Sequence, residues 1–579
     1  MALITLLTLA LAAVPVATGW VTRLIINQLT EPASVSSAAA LSLGAVLAAL
    51  GLLATAGGAF RSYMTTELSR RISLRAQDNL FCAVNRYVGL KNFENPGFLD
   101  RLRLAVNEGR SGPSQVSETL LGLLGSVATI VGFLGSLLII SPVMAILVFS
   151  GAIPVFIAEL KLSRQRAAMM QRLAAAQRKE VFYSHLMSNV QAAKEIRLFG
   201  IGNFLHGRML RELSHMNTEN QGMDRRQLHA QIGLSSLSAL VSGGALVWVV
   251  INTRHGNLTV GDLALFVAAV AGVQNGLTMT VAQVMSIHQR LLLFENYMTI
   301  VNSEPDLRTT ENRPAEPAGT IELKDVWFRY GPEHPWILQG VNLTIPYGTS
   351  VGVVGTNGTG KSTLVKLICR FYDPDKGAIL WNGVDIRQID PETLRHRISA
   401  VFQDFMCYDM TVTENIGLGD LDRRDDTEAI EGAAHRGGAH ELVMALPRGF
   451  DTLISRIFFQ DDGDSQGVML SGGQSQRLAI ARAMFRADRD LLILDEPVSA
   501  LDAKAEHELH ERLARYWKGR TRVLTSHRLG VMRHVDLVVV LHQGSIVEQG
   551  SHDELIKRAG RYADLFELQS ADYDREWNS

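Results

Sequence analysis

With 579 residues the chain exceeds what one hydrophobic core can organise, so more than one domain is expected. A formal net charge of −2 leaves no basic excess, which argues against nucleic acid as a partner. The three cysteines, Cys82, Cys369 and Cys407, show no paired or Cys/His spacing, so neither a disulfide framework nor a zinc site is indicated.

Apolar residues make up 47% of the sequence and gather in its first half. From Met1 the chain is apolar through Ala17 without a basic start, which reads as a membrane helix and not as a signal peptide. Further apolar runs follow at 38–60, 120–140, 143–160, 232–251 and 263–285, each close to the length that crosses a hydrocarbon core, so six spans are expected. Pro142 separates the third and fourth runs at a tight turn, because proline cannot continue a helix and restricts the residue before it.

Basic residues set the orientation. The segment 61–118 carries Arg61, Arg70, Arg71, Arg75, Arg86, Lys91, Arg101, Arg103 and Arg110, and the segment 161–230 carries Lys161, Arg164, Arg166, Arg172, Arg178, Lys179, Lys194 and Arg197 among others. Both belong in the cytoplasm, whereas the short remaining connections hold only Arg254 and face outward. Both cytoplasmic segments are helix-patterned and would extend the membrane helices by about 40 Å at 1.5 Å per residue. They would turn back at Asn95-Pro96-Gly97 and at Gly200-Ile201-Gly202-Asn203. Arg23 lies near the outer interface, where it can snorkel. Mildly polar stripes occur at helical spacing, Ser235, Ser238 and Ser242 in the fifth span and Asn275, Thr278, Met279 and Gln283 in the sixth. Such residues either ease helix packing or line a cavity for an amphipathic substrate.

Residues 302–319 are rich in Glu, Pro, Thr and Asn and read as a linker. A helical membrane domain, 1–301, therefore precedes a domain at 320–579 in which strand-like and helix-like segments intermix, an α/β pattern. In it the apolar strand 350–354 leads into Gly355, Thr356, Asn357, Gly358, Thr359, Gly360, Lys361 and Ser362, and a helix starts with Thr363. Glycines let successive backbone N–H groups converge on phosphate oxygens, the helix N-terminus adds its positive dipole end, Lys361 neutralises phosphate and Ser362 can hold magnesium. A second apolar strand, 491–494, ends in Asp495 and Glu496. Asp495 is placed to hold Mg2+ through water and Glu496 to polarise an attacking water, so ATP is the expected substrate.

The order phosphate loop, Gln403, Leu470-Ser471-Gly472-Gly473-Gln474, Asp495-Glu496-Pro497, Ser499 to Asp502 and His527 resembles the ATP-binding cassette (ABC) ATPases. With six spans placed before it, essentially the whole chain resembles exporter-type ABC half-transporters. The resemblance implies that Tyr330 stacks on adenine, that Gln403 senses the γ-phosphate and magnesium, and that His527 joins Glu496 in catalysis. It further implies that Ser471, Gly472, Gly473 and Gln474 bind ATP held by another subunit, with Asp502 linking the two sites. The turns at Asn95-Pro96 and at Gly200 to Phe204 take the part of coupling helices. Many exporters carry a Gly-Glu-Arg-Gly-like stretch before the signature, and 459–469 departs from it.

The expected function is ATP-driven export of an amphipathic substrate, a peptide or other natural product, by a homodimer in a cytoplasmic (inner) membrane with the ATPase domain in the cytoplasm. Lipid flipping, multidrug export, a paralogous half-transporter as partner, and a membrane-bound ATPase that remodels a partner without transport are the alternatives.

Overall fold

The computed structural model describes residues 1–30, 37–255, 258–307, 319–455, 467–486, 488–497, 508, 511–512 and 515–577. The chain divides into two units, Met1–Val84 with Asp100–Ser303, and Asn85–Leu99 with Glu304–Ser579.

The first unit is helical: α1 (Ala2–Thr30), α2 (Ser37–Asn85), α3 (Pro96–Ile140), α4 (Pro142–Ser188), α5 (Val190–Leu198), α6 (Gly202–Arg254) and α7 (Val260–Val301). The third and fourth apolar runs meet at Ser141, whose extended backbone caps α4 while Pro142 opens it, a position where the missing N–H costs nothing. α4 has 47 residues and α6 has 53, so each is roughly 70–80 Å long at 1.5 Å per residue, far more than a bilayer requires. The turn at Gly200 is present between α5 and α6; an additional break at Asn189, extended in backbone, separates α4 from α5. Among the described residues four helical stretches are both long and apolar enough to cross a membrane: Ala2–Thr30, Leu41–Asn85, Gly112–Ile140 and Val260–Ile287. The runs 143–160 and 232–251 lie on α4 and α6.

Two kinds of contact hold these helices together. Phe133, Leu137, Met144, Val148, Val249, Phe266, Ala269 and Val273 form one apolar cluster from α3, α4, α6 and α7. Gly272 makes the approach of α7 to α3 possible, since a Cβ there would sit 2.2 Å from the Phe133 ring. In lipid, where apolar burial no longer drives association, such close packing and polar contacts decide which helices adhere. The polar contact is at the start of α7. Thr259 and Asp262 form a reciprocal capping box, Asn27 of α1 accepts from the Gly261 N–H at 2.9 Å, and Arg23 Nε lies 2.6 Å from Asp262 Oδ1. Arg23, expected near the outer interface, is paired with Asp262 and also lies over the Trp20 ring at 4.8 Å. Trp20 in turn donates to Ser136 of α3 at 2.9 Å.

The second unit carries two main sheets. β1 (Ile321–Phe328), β2 (Leu338–Ile345), β4 (Lys376–Trp381) and β5 (Val384–Asp385) form an antiparallel sheet ordered β2-β1-β4-β5. The larger sheet contains β3 (Ser350–Val354), β6 (Ile398–Val401), β9 (Leu491–Asp495), β10 (Thr521–Thr525), β11 (Leu537–His542) and β12 (Ser545–Gly550) in the order β12-β11-β3-β10-β9-β6. All its pairings are parallel except β11 with β12, and β3 and β9 are buried at every position, as strands covered on both faces must be. A small ribbon of β7 (Met410–Thr411) and β8 (Leu453–Ile454) lies with the helices Val412–Gly417, Thr427–Gly437, His440–Met444 and Gly472–Phe485, which share the core around Ile416, Ile430, Leu478 and Ile480.

Replacing Asp262 by Ala removes one partner of a nearly buried ion pair and should lower stability by about 3–5 kcal/mol. Thermal unfolding in lipid nanodiscs measures the loss, and the Arg23→Leu, Asp262→Leu double variant should recover much of it.

Candidate functional site: the carboxyl edge of the parallel sheet

Parallel register places four strand ends side by side. Val353 lies opposite Thr525, Thr525 opposite Asp495, and Leu494 opposite Val401. The segments that leave those ends therefore share one edge: the glycine loop after β3, Gln403 after β6, Glu496 after β9 and His527 after β10. The carboxyl edge of a parallel sheet is where α/β folds bind ligands.

The glycine loop enters α8 (Lys361–Ile368), whose N-cap is Gly360 at φ +103, a conformation that side chains oppose. Lys361 is buried, and its ammonium donates to the carbonyls of Gly355 at 2.8 Å and Thr356 at 3.2 Å, which aims it across the loop mouth. Burial holds it below the usual lysine range, while Glu496 and Asp495 oppose that shift. Asp495 is buried too, and burial raises its carboxyl, whereas hydrogen bonds from Thr525 and Ser362 pull the other way. Those bonds measure 2.5 Å from Thr525 Oγ1 and 3.3 Å from Ser362 Oγ, both to Asp495 Oδ1.

The pair Ser362 and Asp495 gives adjacent oxygen donors of the kind a hard divalent cation takes, so these residues fit Mg2+. Gln403 is placed differently, donating to Glu496 Oε2 at 3.0 Å. The same oxygen lies 3.6 Å from His527 Nδ1, so Glu496 stands between an amide and an imidazole. Glu496 has φ +50, a left-handed conformation that costs a non-glycine residue of order 1 kcal/mol or more. Its N–H is held by Thr525, through the carbonyl at 3.1 Å and the hydroxyl at 3.2 Å. Thr525 thus holds the Asp495 carboxylate and the Glu496 backbone.

Tyr330 is half-buried, edge-on to Phe328 and Tyr372 at 5.1 and 5.4 Å, with its hydroxyl 3.1 Å from Thr363 Oγ1. Lys366 approaches the Tyr330 ring to 5.5 Å and pairs with Glu94 at 2.6 Å, and Tyr372 also donates to Glu94. The segment Asn85–Leu99, which holds the Asn95-Pro96 turn, therefore meets the aromatic platform directly, and Leu90 N–H bonds to the Phe371 carbonyl at 3.1 Å.

Ser471 caps the helix Gly472–Phe485 through a capping box with Gln474, leaving Ser471 and Gly472 exposed at a helix N-terminus. Asp502 and the segment 456–466 lie outside the described residues. Of the stripe residues on α7, Asn275, Thr278 and Met279 are exposed on one side, while Gln283 accepts from Ser126 of α3 at 3.2 Å. The backbone of Ser235, Ser238 and Ser242 is on α6, but their side chains lie outside the described part of the structure. Sequence reading missed Thr525 and Gln476, whose Nε2 donates to the Pro497 carbonyl at 2.6 Å and ties the signature helix to the Glu496 segment. Thr525 could have been noticed as the last strand residue before His527; Gln476 has no local signal.

Residues 338–499 match the family model described as "ABC transporter". A 415-residue alignment at 32% identity relates the chain to the ATP-binding/permease protein YgaD of Bacillus subtilis strain 168, covering 71% of this chain and 67% of that protein. The chain belongs to the ABC transporter family. This exporter is also 27% identical over 523 residues to the subtilin transport ATP-binding protein SpaT of Bacillus subtilis, covering 89% of the exporter and 84% of SpaT. A match to an ATP-dependent lipid A-core flippase of Chromohalobacter salexigens is 37% identical over 334 residues, 58% of the exporter and 56% of the flippase. In fold, the exporter superposes on a bacterial Atm1-family ABC exporter with ATP bound at a TM-score of 0.83, with 22% identity and 98% and 97% of the two chains covered. A helical, membrane-embedded half and an ABC ATPase are thus joined in one half-transporter chain.

Thr525→Val removes a hydrogen bond that favours the ionised form of Asp495. Its carboxyl should rise further, so the acidic limb of the ATPase pH–rate profile should move to higher pH; an unmoved limb would remove Thr525 from this role.

Proposed function

We propose that two copies of this exporter sandwich two ATP molecules and drive an amphipathic substrate outward across the cytoplasmic membrane, with 320–579 as the nucleotide-binding domain and 1–301 as a six-span membrane domain. One observation carries the reading: Lys361, Asp495, Glu496, Gln403 and His527 occupy neighbouring strand ends of one sheet, while the exposed Ser471 cap belongs to a separate helix of the same domain. In this reading Lys361 and the loop N–H groups bind phosphate, and Tyr330 stacks on adenine. Ser362 and Asp495 would hold Mg2+, which neutralises phosphate charge, and Gln403 would sense its presence. Glu496 orients and polarises the attacking water, His527 stabilises that arrangement, and Gln403 can exchange its bond to Glu496 for one to nucleotide. Ser471, Gly472, Gly473, Gln474 and Asp502 complete the partner copy's site.

Pairing suits the membrane half as well. The most apolar window of Leu41–Asn85 buries none of its residues within the chain, a surface for lipid and a second copy to cover. The exposed Asn275, Thr278 and Met279 on α7 supply mixed polar and apolar contacts of the kind an amphipathic substrate needs. A peptide substrate is favoured by the likeness to the subtilin transport protein, which covers most of both chains; a lipid is the second reading, from the flippase match.

Glu496→Gln should cut ATP turnover by about 10²-fold or more while ATP still binds. Lys361→Ala should weaken nucleotide binding itself, measured with a fluorescent ATP analogue. ATPase stimulation across amphipathic peptides, lipids and hydrophobic drugs, followed by vesicle transport, tests the cargo; stimulation by lipid alone would displace the peptide reading.

A further inference from the structure

His527 is held from behind by a residue far along the chain. Gln569, on the last helix Arg561–Trp577, donates through Nε2 to the His527 carbonyl at 2.5 Å and accepts through Oε1 from the Leu529 N–H at 2.6 Å. One amide therefore brackets the three residues His527-Arg528-Leu529. The imidazole itself is half-exposed, with Nδ1 3.6 Å from Glu496 Oε2. Where the ring points thus depends mainly on where its backbone is fixed. Upstream, Thr525 is fixed by Asp495, and Ser526 Oγ accepts from the Arg528 N–H at 2.9 Å in a local turn. Downstream, the Leu529 side chain is buried, and the chain passes into a short helical turn, Leu529–His534.

The last helix can transmit position because its own first turns are anchored. Tyr562 is fully buried and its hydroxyl lies 2.8 Å from His552 Nδ1, Phe566 packs on His552 at 5.1 Å, and Arg533 lies over Phe566 at 4.9 Å. The N–H groups of Arg561 and Tyr562 donate to Glu548 at 2.7 and 3.1 Å. Two turns beyond Tyr562, Gln569 reaches the loop with both ends of its amide engaged, so neither rotation nor sliding of the loop is free.

We propose that Gln569 is a positioning residue for His527: through two main-chain hydrogen bonds it sets the imidazole against Glu496, making the last helix part of the hydrolytic geometry. This rests on the reading of His527 given above. A misplacement on the scale of 1 Å at a reacting geometry costs about 10²-fold.

The test is Gln569→Met, which keeps the side-chain length and loses both bonds, in the full-length exporter in lipid nanodiscs. Its kcat for ATP should fall about 10- to 100-fold with KM changed less than about twofold. Gln569→Glu, which retains an acceptor for Leu529 but no donor for His527, should fall as well. In a His527→Ala background, Gln569→Met should add no further loss to the residual rate, because the group it positions is gone. A wild-type rate for Gln569→Met overturns the proposal, and so does a loss that multiplies with that of His527→Ala, which would mark a merely structural role. Full activity of His527→Ala would sink the reading of His527 and this inference with it, whereas a slow His527→Ala beside a fully active Gln569→Met sinks the inference alone.

Discussion

The chemistry of this exporter depends on parallel strand pairing. Hydrogen-bonded register between β3, β10, β9 and β6 is what brings Val353, Thr525, Asp495 and Val401 close to one line, although they come from segments up to 172 residues apart. Each strand then delivers a different group: a glycine-rich loop, a histidine, two carboxylates and a glutamine. A slip of one residue in β9 would exchange the faces of Asp495 and Glu496 and undo the division of roles proposed for them. Because β3 and β9 are buried on both faces, such a slip would also misplace well-packed apolar side chains, so the core protects the site.

Around that edge, charge is arranged by burial and relieved by hydrogen bonds. Lys361 and Asp495 are both buried, and each is pushed toward its neutral form by loss of water. Their opposite charges and the hydroxyls of Thr525 and Ser362 counter this. Glu496 is held in a strained backbone conformation by Thr525 and faces Gln403 and His527 at once. Such a carboxylate can exchange partners with little motion, which suits a site that must alternate between binding and hydrolysis.

The helical half is governed by different forces. The apolar runs of these helices separate from water by composition, but lipid gives them no apolar reason to choose neighbours. The choice is made by the close contact at Gly272 and Phe133, and by the Arg23, Asp262 and Asn27 contacts at the start of α7. In the second unit, Glu94 links the segment 85–99 to Lys366 and Tyr372 beside the Tyr330 ring.

Sequence alone determined the elements whose cause is local. Apolar runs specify membrane helices by length, Pro142 and Gly200 mark turns by backbone restriction, and the glycine loop between strand and helix specifies phosphate binding by its own geometry. The candidate carboxylates Asp495 and Glu496 were legible for the same reason, since they follow an apolar strand directly. Tertiary structure alone decided the pairings between distant residues: Arg23 with Asp262, Thr525 with Asp495, Gln476 with Pro497, and Gln569 with the backbone of His527. None has a periodic or compositional trace, because a single polar side chain reaching another element depends on how the two elements are packed, and packing is a property of the whole fold.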